Sequence, residues 1–491
     1  MIGWKIILLS VYQIVVILTI IHVVMDNRQP AKTMAWGLVI WFVPVAGIVL
    51  YIFFGINTRK ERFVSQRSLD LLSKRAMLEF VEQKDLRLPE EQRQLIDLFV
   101  NENFSLPFKN NSYEVYTDGY AFFPALLSAI AEASDHIHID MYIIEDDALG
   151  NLVADALIDK ARQGVEVKVI YDDVGCWRVK HSFFERMRDE GIEVVAFLPV
   201  RFPSFTSKVN YRNHRKIIVI DGLTGFVGGM NIALRYVKGI DSEPWRDTMV
   251  RVTGSGVYGL QRAFLIDWYF CDRTLISNRK YYPAFRGERL EGRGERLDPL
   301  RSYPPTSHLQ IAQTVTSGPV APYPEIMQGY VRIILSARRY LYLETPYFLP
   351  TEPVMFALKT AAAAGVDVRI LVPLRSDAKF VEWASRSYLR EAVEAGVRVS
   401  LYKAGFLHSK LLVSDDSVST CGSTNVDFRS FENNFESNMF FYGEEMGKRL
   451  RDIFLADERQ SVLLSDMPER MNPQFVNRLW ESLVRMMSPL M

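Results

Sequence analysis

Cysteine is scarce in this chain. Its three copies, Cys176, Cys271 and Cys421, lie far apart among 491 residues, and no Cys-x-x-Cys pair occurs. That argues against a disulfide framework and a thiolate-built zinc site, and it fits reduced thiols. A net charge is missing too: 58 Lys and Arg balance 58 Asp and Glu. A strongly basic nucleic-acid-binding surface finds no support in that total. The most informative absence is local. Residues 6–25 and 33–57 contain no Asp, Glu, Lys or Arg. Each run is long enough to cross a hydrocarbon core as a helix. Two in succession fit a transmembrane helical hairpin better than a cleaved leader or two buried helices of a soluble domain.

The flanking charges orient that hairpin. Arg28 and Lys32 face Asp26 in the short connection, whereas Arg59, Lys60, Arg62 and Arg67 oppose only Glu61 after the second run. The larger positive excess, with Lys5 before the first run, puts both termini and the bulk of the chain on the cytoplasmic side. Trp4, Trp36, Trp41 and Tyr51 are candidate interfacial anchors, with His22 near the outer end of the first span.

Residues 58–110 read as a juxtamembrane helical linker. Residues 277–307, rich in Gly, Pro and mixed charge, read as a linker or mobile loop. On either side of that loop one order of elements appears twice. The first copy has a strand at 136–144, a helix ending at Gly164, the strand VEVKVIYD, a helix ending at Gly191 and the strand IEVVAFL. The second has a strand at 340–349, a helix ending at Gly365, VDVRILVP, a helix ending at Gly396 and VRVSLY. A glycine just past each helix supplies a left-handed cap. Alternating strands and helices predict an α/β fold with a partly parallel sheet. The duplication predicts two similar halves, 111–276 and 308–491, behind the hairpin of residues 1–57.

Each copy ends in one pattern. His214-Arg-Lys216 runs through four residues to Asp221 and is followed by Gly228-Gly229-Met-Asn231. His408-Ser-Lys410 runs likewise to Asp415 and is followed by Gly422-Ser423-Thr-Asn425. The interval from Asp to the Gly-led turn is the same in both, which chance does not give twice. His and Lys two apart on a strand share a face. The turn before Asn231 and Asn425 lets backbone approach an anion. If the halves face each other, two His, two Lys and two Asn converge. They would neutralise a phosphodiester without a metal, with one imidazole as nucleophile and the other as acid/base. A histidine nucleophile needs a carboxylate to orient it. Asp247 and Glu436, each in a strand-like run after the Asn, are the candidates, the alternative being ordinary solvated carboxylates. The placement of Asp221 and Asp415 at strand ends suggests support rather than chemistry.

The doubled motif is the signature of the phospholipase D superfamily. The stretch from DNRQPAK to IFFG resembles the N-terminal segment of bacterial cardiolipin synthases of that superfamily, as does the context Asn213 to Lys216. The resemblance covers essentially the whole chain. It implies a bacterial inner-membrane, multi-pass phosphatidyltransferase with two α/β halves packed face to face, a cytoplasmic catalytic part, and no metal or cofactor. One His would attack phosphatidylglycerol and release glycerol. The other would protonate the glycerol, then activate a hydroxyl of a second phosphatidylglycerol to give cardiolipin. It further implies His214 as nucleophile, His408 as acid/base, and Lys216, Lys410, Asn231 and Asn425 on the phosphate oxygens. Ser423, opposite Gly229 in the first copy, would contribute a hydroxyl on one side only. Rival readings are a phospholipase D using water, another phosphatidyltransferase, a nuclease, and an inactive membrane scaffold.

Other features read more plainly. His136 and His138 are expected as core or rim residues, His181 and His308 have no motif around them, and Cys421 is a small buried side chain. The basic stretch 194–220 is either a lipid-facing approach to His214 or an ordinary loop. The C-terminal run FVNRLWESLVRMMSPLM has helical apolar spacing and is expected to dock on the core rather than on the bilayer.

Overall fold

The computed structural model describes residues 2–25, 30–55, 68–74, 90–200, 210–240, 243–283 and 310–490. Arg28, the charged segment after the second uncharged run, the tip of the basic stretch (201–209), most of the linker and His308 lie outside the described residues. The first uncharged run is a helix, Ile2–Met25. The second is divided into Pro30–Phe42 and Pro44–Leu50. Proline lacks the amide donor that a continuous helix needs at Pro44. Taken over the described residues, no helix is long and apolar enough to cross a membrane. The break at Val43 shortens the second helix. Of the four expected anchors, Trp4 and Trp41 are exposed. Trp36 and Tyr51 turn inward, their rings 5.5 Å apart, and pack with Val16, Val23 and Ile40 where these helices meet.

The rest of the chain is built twice. The first half carries β1 (Ser112–Tyr116), β2 (His136–Met141), β3 (Glu166–Asp172), β4 (Glu193–Phe197), β5 (Lys216–Ile220), β6 (Thr224–Gly228) and β7 (Met249–Thr253). Their order across the sheet is β1-β7-β6-β5-β2-β3-β4. The second half carries β8 (Ile311–Ser317), β9 (Tyr340–Glu344), β10 (Asp367–Pro373), β11 (Arg398–Tyr402), β12 (Leu411–Ser414), β13 (Val418–Gly422) and β14 (Glu436–Tyr442). It repeats the order as β8-β14-β13-β12-β9-β10-β11, with Pro107–Phe108 and Ser461–Leu463 added at the edges. The three strands linked through helices, β2-β3-β4 and β9-β10-β11, are parallel, and the remaining pairings within these two sheets are antiparallel. The register repeats as well: Ile139 faces Ile218, and Leu343 faces Leu412 at the matching place. The four glycines expected to cap helices all have left-handed φ, between +85° and +91°.

The motif strands are apolar on both faces because both faces are covered. Ile218 and Ile220 of β5 pack on the first half's own helices. Ile217 and Val219 join Leu411 and Val413 of β12 in a third core shared by the two halves. Helices Val257–Asp272 and Glu444–Glu458 contribute Leu260 and Leu450 to that shared core. His136 and His138 are buried and bridged by Gln261, with His138 stacked on Phe264. The C-terminal helix, Phe475–Met486, packs on Lys379–Glu394. The expected core docking is corrected in one respect: it docks through Glu481, Val484 and Arg485, and its apolar stripe faces outward.

Candidate active site

Each motif histidine is stitched to the opposite half by backbone. The His214 amide donates to the Phe435 carbonyl at 2.9 Å, and the Phe435 amide donates to the Arg212 carbonyl at 2.9 Å. Symmetrically, the His408 amide donates to the Arg246 carbonyl at 2.7 Å, beside the two-residue pairing of Phe406–Leu407 with Trp245–Arg246. In both cases the bonded carbonyl belongs to the residue just before a carboxylate. The carboxylates are therefore exchanged between halves. Nδ1 of His214 lies 3.0 Å from both oxygens of Glu436, and Nδ1 of His408 lies 2.7 Å from Asp247 Oδ2.

All four side chains are buried. Burial pushes the His214 imidazole down to about 4; Glu436 opposes this, and Lys216 and Lys410 add to it. Burial, then Lys410, pushes His408 down to about 3 against the pull of Asp247. Burial alone would raise both carboxyls. Lys410 and then His408 bring Asp247 below its ordinary value, and His214 and then Lys216 do the same for Glu436. A neutral His214 imidazole donates Nδ1–H to Glu436, whereas at His408 both Asp247 Oδ2 and Lys410 Nζ converge on Nδ1. The other ring nitrogen of His214, Nε2, is left with its lone pair.

The lysines lie behind the histidines. Lys216 Nζ donates to the His214 carbonyl at 2.6 Å, and burial brings it down to about 7. Lys410 Nζ donates to the His408 carbonyl and lies 2.8 Å from His408 Nδ1; burial lowers it too. His214, His408, Asn231 and Asn425 line one cavity of about 460 Å³. Asn231 is held there by the Ile143 amide and the Tyr236 hydroxyl, while Asn425 Oδ1 is buried with no hydrogen-bond partner among the described residues. No group of three or more His, Cys, Asp or Glu among the described residues is arranged to hold a metal.

Of the expected site residues, Lys216, Lys410, Asp247 and Glu436 stand behind the histidines and do not line the cavity, so the lysines do not reach its surface as expected for phosphate contacts; Ser423, Asp221 and Asp415 do not line it either. Ser423 is fully buried, and its hydroxyl donates to Glu436, so it steadies that carboxylate instead of meeting a ligand. The matching Gly229 explains the asymmetry: a Cβ there would stand 2.1 Å from Asp247 Oδ1. Asp221 and Asp415 sit at left-handed turns, φ 53° and 54°. Asp221 accepts the amides of Ser134, Asp135 and His136 at 2.8–2.9 Å, and Asp415 those of Arg338, Arg339 and Tyr340 at 2.7–2.9 Å. Each ties the start of the central strand to the end of the motif strand. Asp221→Ala is expected to lower folding stability by about 1–3 kcal/mol, with Asp221→Asn milder because Asn tolerates the turn and keeps one acceptor. Turnover per folded molecule should stay near the parent's. Unfolding midpoints and active-fraction kinetics check this, and a loss of turnover without a shift in midpoint would refute a purely structural role.

Several participants escape sequence reasoning. Arg215, the variable residue of the first motif, donates to the Glu436 carbonyl and pairs with Asp267. Arg246, just before Asp247, reaches into the second half to Asp457 at 2.7 Å. Near it, burial and then Asp457 push Glu344 up to about 8, Arg246 opposing. Arg212, Arg235 and Arg429 bring positive charge to the cavity wall, and Ile240, Leu349 and Val381 make part of it apolar. Only Arg215 had a motif beside it to draw notice.

What folds around the two motifs is a phospholipase-D-like domain, present twice. A family profile described as "Cardiolipin synthase, PLD-like domain" matches residues 126–254 and 330–458, and one described as "Phospholipase_D-nuclease N-terminal" matches residues 14–55. The major cardiolipin synthase ClsA of Bacillus subtilis is 35% identical over 99% of both chains. A cardiolipin synthase of Alkalihalophilus pseudofirmus is 38% identical over 100% of this chain and 95% of its own. The chain belongs to the cardiolipin synthase family of phospholipase-D-like proteins. The crystal structure of phosphatidylserine synthase from Haemophilus influenzae Rd KW20 shares the fold, with TM-score 0.61 over 81% of this chain and 100% of that one at 16% identity.

Proposed function

We propose that this enzyme joins two phosphatidylglycerols into cardiolipin and glycerol through a phosphatidyl-histidine. The observation that carries the reading is the crossed pair of His–carboxylate contacts beside a single cavity. The His214 Nε2 lone pair attacks phosphorus, and the bond from phosphorus to the glycerol oxygen breaks. His408, which takes up a proton from water as the anionic headgroup enters, gives that oxygen its proton. A hydroxyl of the second phosphatidylglycerol then loses its proton to His408 and attacks phosphorus. The N–P bond breaks, and both imidazoles return to their starting state. The low proton affinity that burial gives both imidazoles suits a nucleophile. Burial and then Lys410 hold His408 down; an entering phosphodiester anion adds a negative charge that favours the imidazolium, which lets it act as acid. Lys216 and Lys410 supply that positive charge from behind the imidazoles, and Asn425, with Asn231, offers amides to the non-bridging oxygens.

The same reading covers the membrane. The uncharged runs form a two-span anchor in the bacterial cytoplasmic membrane, with the catalytic halves on the cytoplasmic side. Exposed Ile7, Val11, Ile14 and Leu18 on the first helix support it, as does the charge excess after the second run. The chain then divides into 1–57, 58–110, 111–276, 277–307 and 308–491. The test is direct: purified full-length protein is given phosphatidylglycerol in vesicles. Cardiolipin with equimolar glycerol is the expected product, whereas phosphatidic acid alone would make water the acceptor and sink the transferase reading.

A further inference from the structure

The C-terminal helix Phe475–Met486 is amphipathic and is docked by its charged side. Glu481 is buried and pairs with Arg390 at 2.6 Å and Arg386 at 3.7 Å. Arg485 pairs with Glu391 and lies 3.9 Å over the Tyr388 ring. The opposite face is apolar and exposed: Phe475 79%, Val476 73%, Leu479 49%, Leu483 48% and Met486 73%. A helix at a water boundary has the reverse arrangement. An apolar stripe of this length left in water is a surface that something covers.

Two further observations say what covers it. The stripe runs to the active site through touching aromatics: Trp480 against Trp383 at 5.7 Å, and Trp383 against Phe380 at 5.5 Å. Phe380 lies in the first turn of the helix Lys379–Glu394, where Asp377, Ala378 and Val381 form a wall of the catalytic cavity. The loop after β3, at the matching place in the first half, carries the exposed Trp177. Its Gly175 backs directly onto Tyr142 of the cavity wall. A cavity of about 460 Å³ holds headgroups, not the acyl chains of two diacyl lipids. Those chains have to stay in the bilayer while their phosphates enter.

We propose that the outward face of the C-terminal helix lies in the bilayer interface and, with Phe380 and Trp383, holds the cavity mouth against the lipid surface. This rests on the phosphatidylglycerol reading above. The N-terminal segment keeps the protein on the membrane, and this helix sets the angle at which the catalytic halves meet it.

The test uses the full-length protein in phosphatidylglycerol-containing vesicles. A Leu479→Cys variant in a Cys271→Ser background carries an environment-sensitive fluorophore; Cys176 and Cys421 are buried. Leu152→Cys, exposed on Ala148–Arg162, is the remote control. The label at 479 is expected to shift to the blue and to be quenched by shallow spin-labelled lipid, and the label at 152 to do neither. No quenching at 479 overturns the proposal. A blue shift without quenching also overturns it, and assigns the face to another protein segment or, where it grows with protein concentration, to a second copy. In the second arm, Leu479→Glu/Leu483→Glu is expected to cut cardiolipin formation from vesicle lipid at least about fivefold and to spare turnover of short-chain, monomeric phosphatidylglycerol. Equal loss on both substrates would refute it. Should the parent make no cardiolipin, the functional reading fails, and the quenching arm still decides the docking.

Discussion

His214→Ala and His408→Ala are each expected to lower cardiolipin formation by about 10⁴-fold or more, and to differ when the leaving group is changed. A phosphatidyl ester of p-nitrophenol needs no acid to expel its alcohol. His408→Ala, which keeps the proposed nucleophile, should release a burst of nitrophenol equal to the enzyme present and then stall, since no base activates the acceptor. His214→Ala should give no burst. Rapid-quench measurement of nitrophenol reads this directly, and a burst from His214→Ala alone would reverse the assignment. The near-symmetry of the two centres makes the experiment necessary. Both imidazoles are buried, both are depressed by burial and lysine, and both meet a carboxylate through Nδ1.

Glu436→Gln carries the second large effect, expected at about 100- to 10,000-fold in kcat with little change in KM. The amide no longer fixes the tautomer or offsets the imidazolium. Because the pairing is crossed, this change in the second half should behave as damage to the first half's histidine. In the nitrophenyl assay the burst of Glu436→Gln should slow, whereas Asp247→Asn should keep a fast burst and lose the step after it. A double-mutant cycle isolates the coupling: Glu436→Gln should add little in a His214→Ala background and nearly its full factor in His408→Ala. The opposite pattern would mean that each histidine is served by its own half.

Much of this architecture was legible in the residues because local chemistry dictates it. Gly164, Gly191, Gly365 and Gly396 mark helix ends since only glycine adopts the left-handed cap without cost, and all four have that φ. The duplicated motif pointed to paired strands, and β5 and β12 occupy the same position in both sheets. Asp247 and Glu436 were legible as carboxylates, but their exchange was not, because motif spacing carries no record of which half packs across from it. The role of Asp221 was open for a similar reason: its partners are backbone amides about 86 residues away, which have no sequence signature. The C-terminal helix shows the limit most clearly. Periodicity reveals that Phe475, Leu479 and Leu483 share a face. It does not say whether that face turns inward or outward, and Arg390 opposite Glu481 decides it.

The backbone stitch from His214 to Phe435 and from His408 to Arg246 has a consequence for how the protein comes into being. Synthesis completes the first half, with His214 in place in covalent terms, before Glu436 is made. At that stage the imidazole has no fixed tautomer and no counter-charge, and it is not yet a competent nucleophile. Competence arrives only when the last strands fold back and both halves close on one another. Correct assembly is thus itself the trigger for reactivity: a misfolded or truncated chain would be inert rather than destructive.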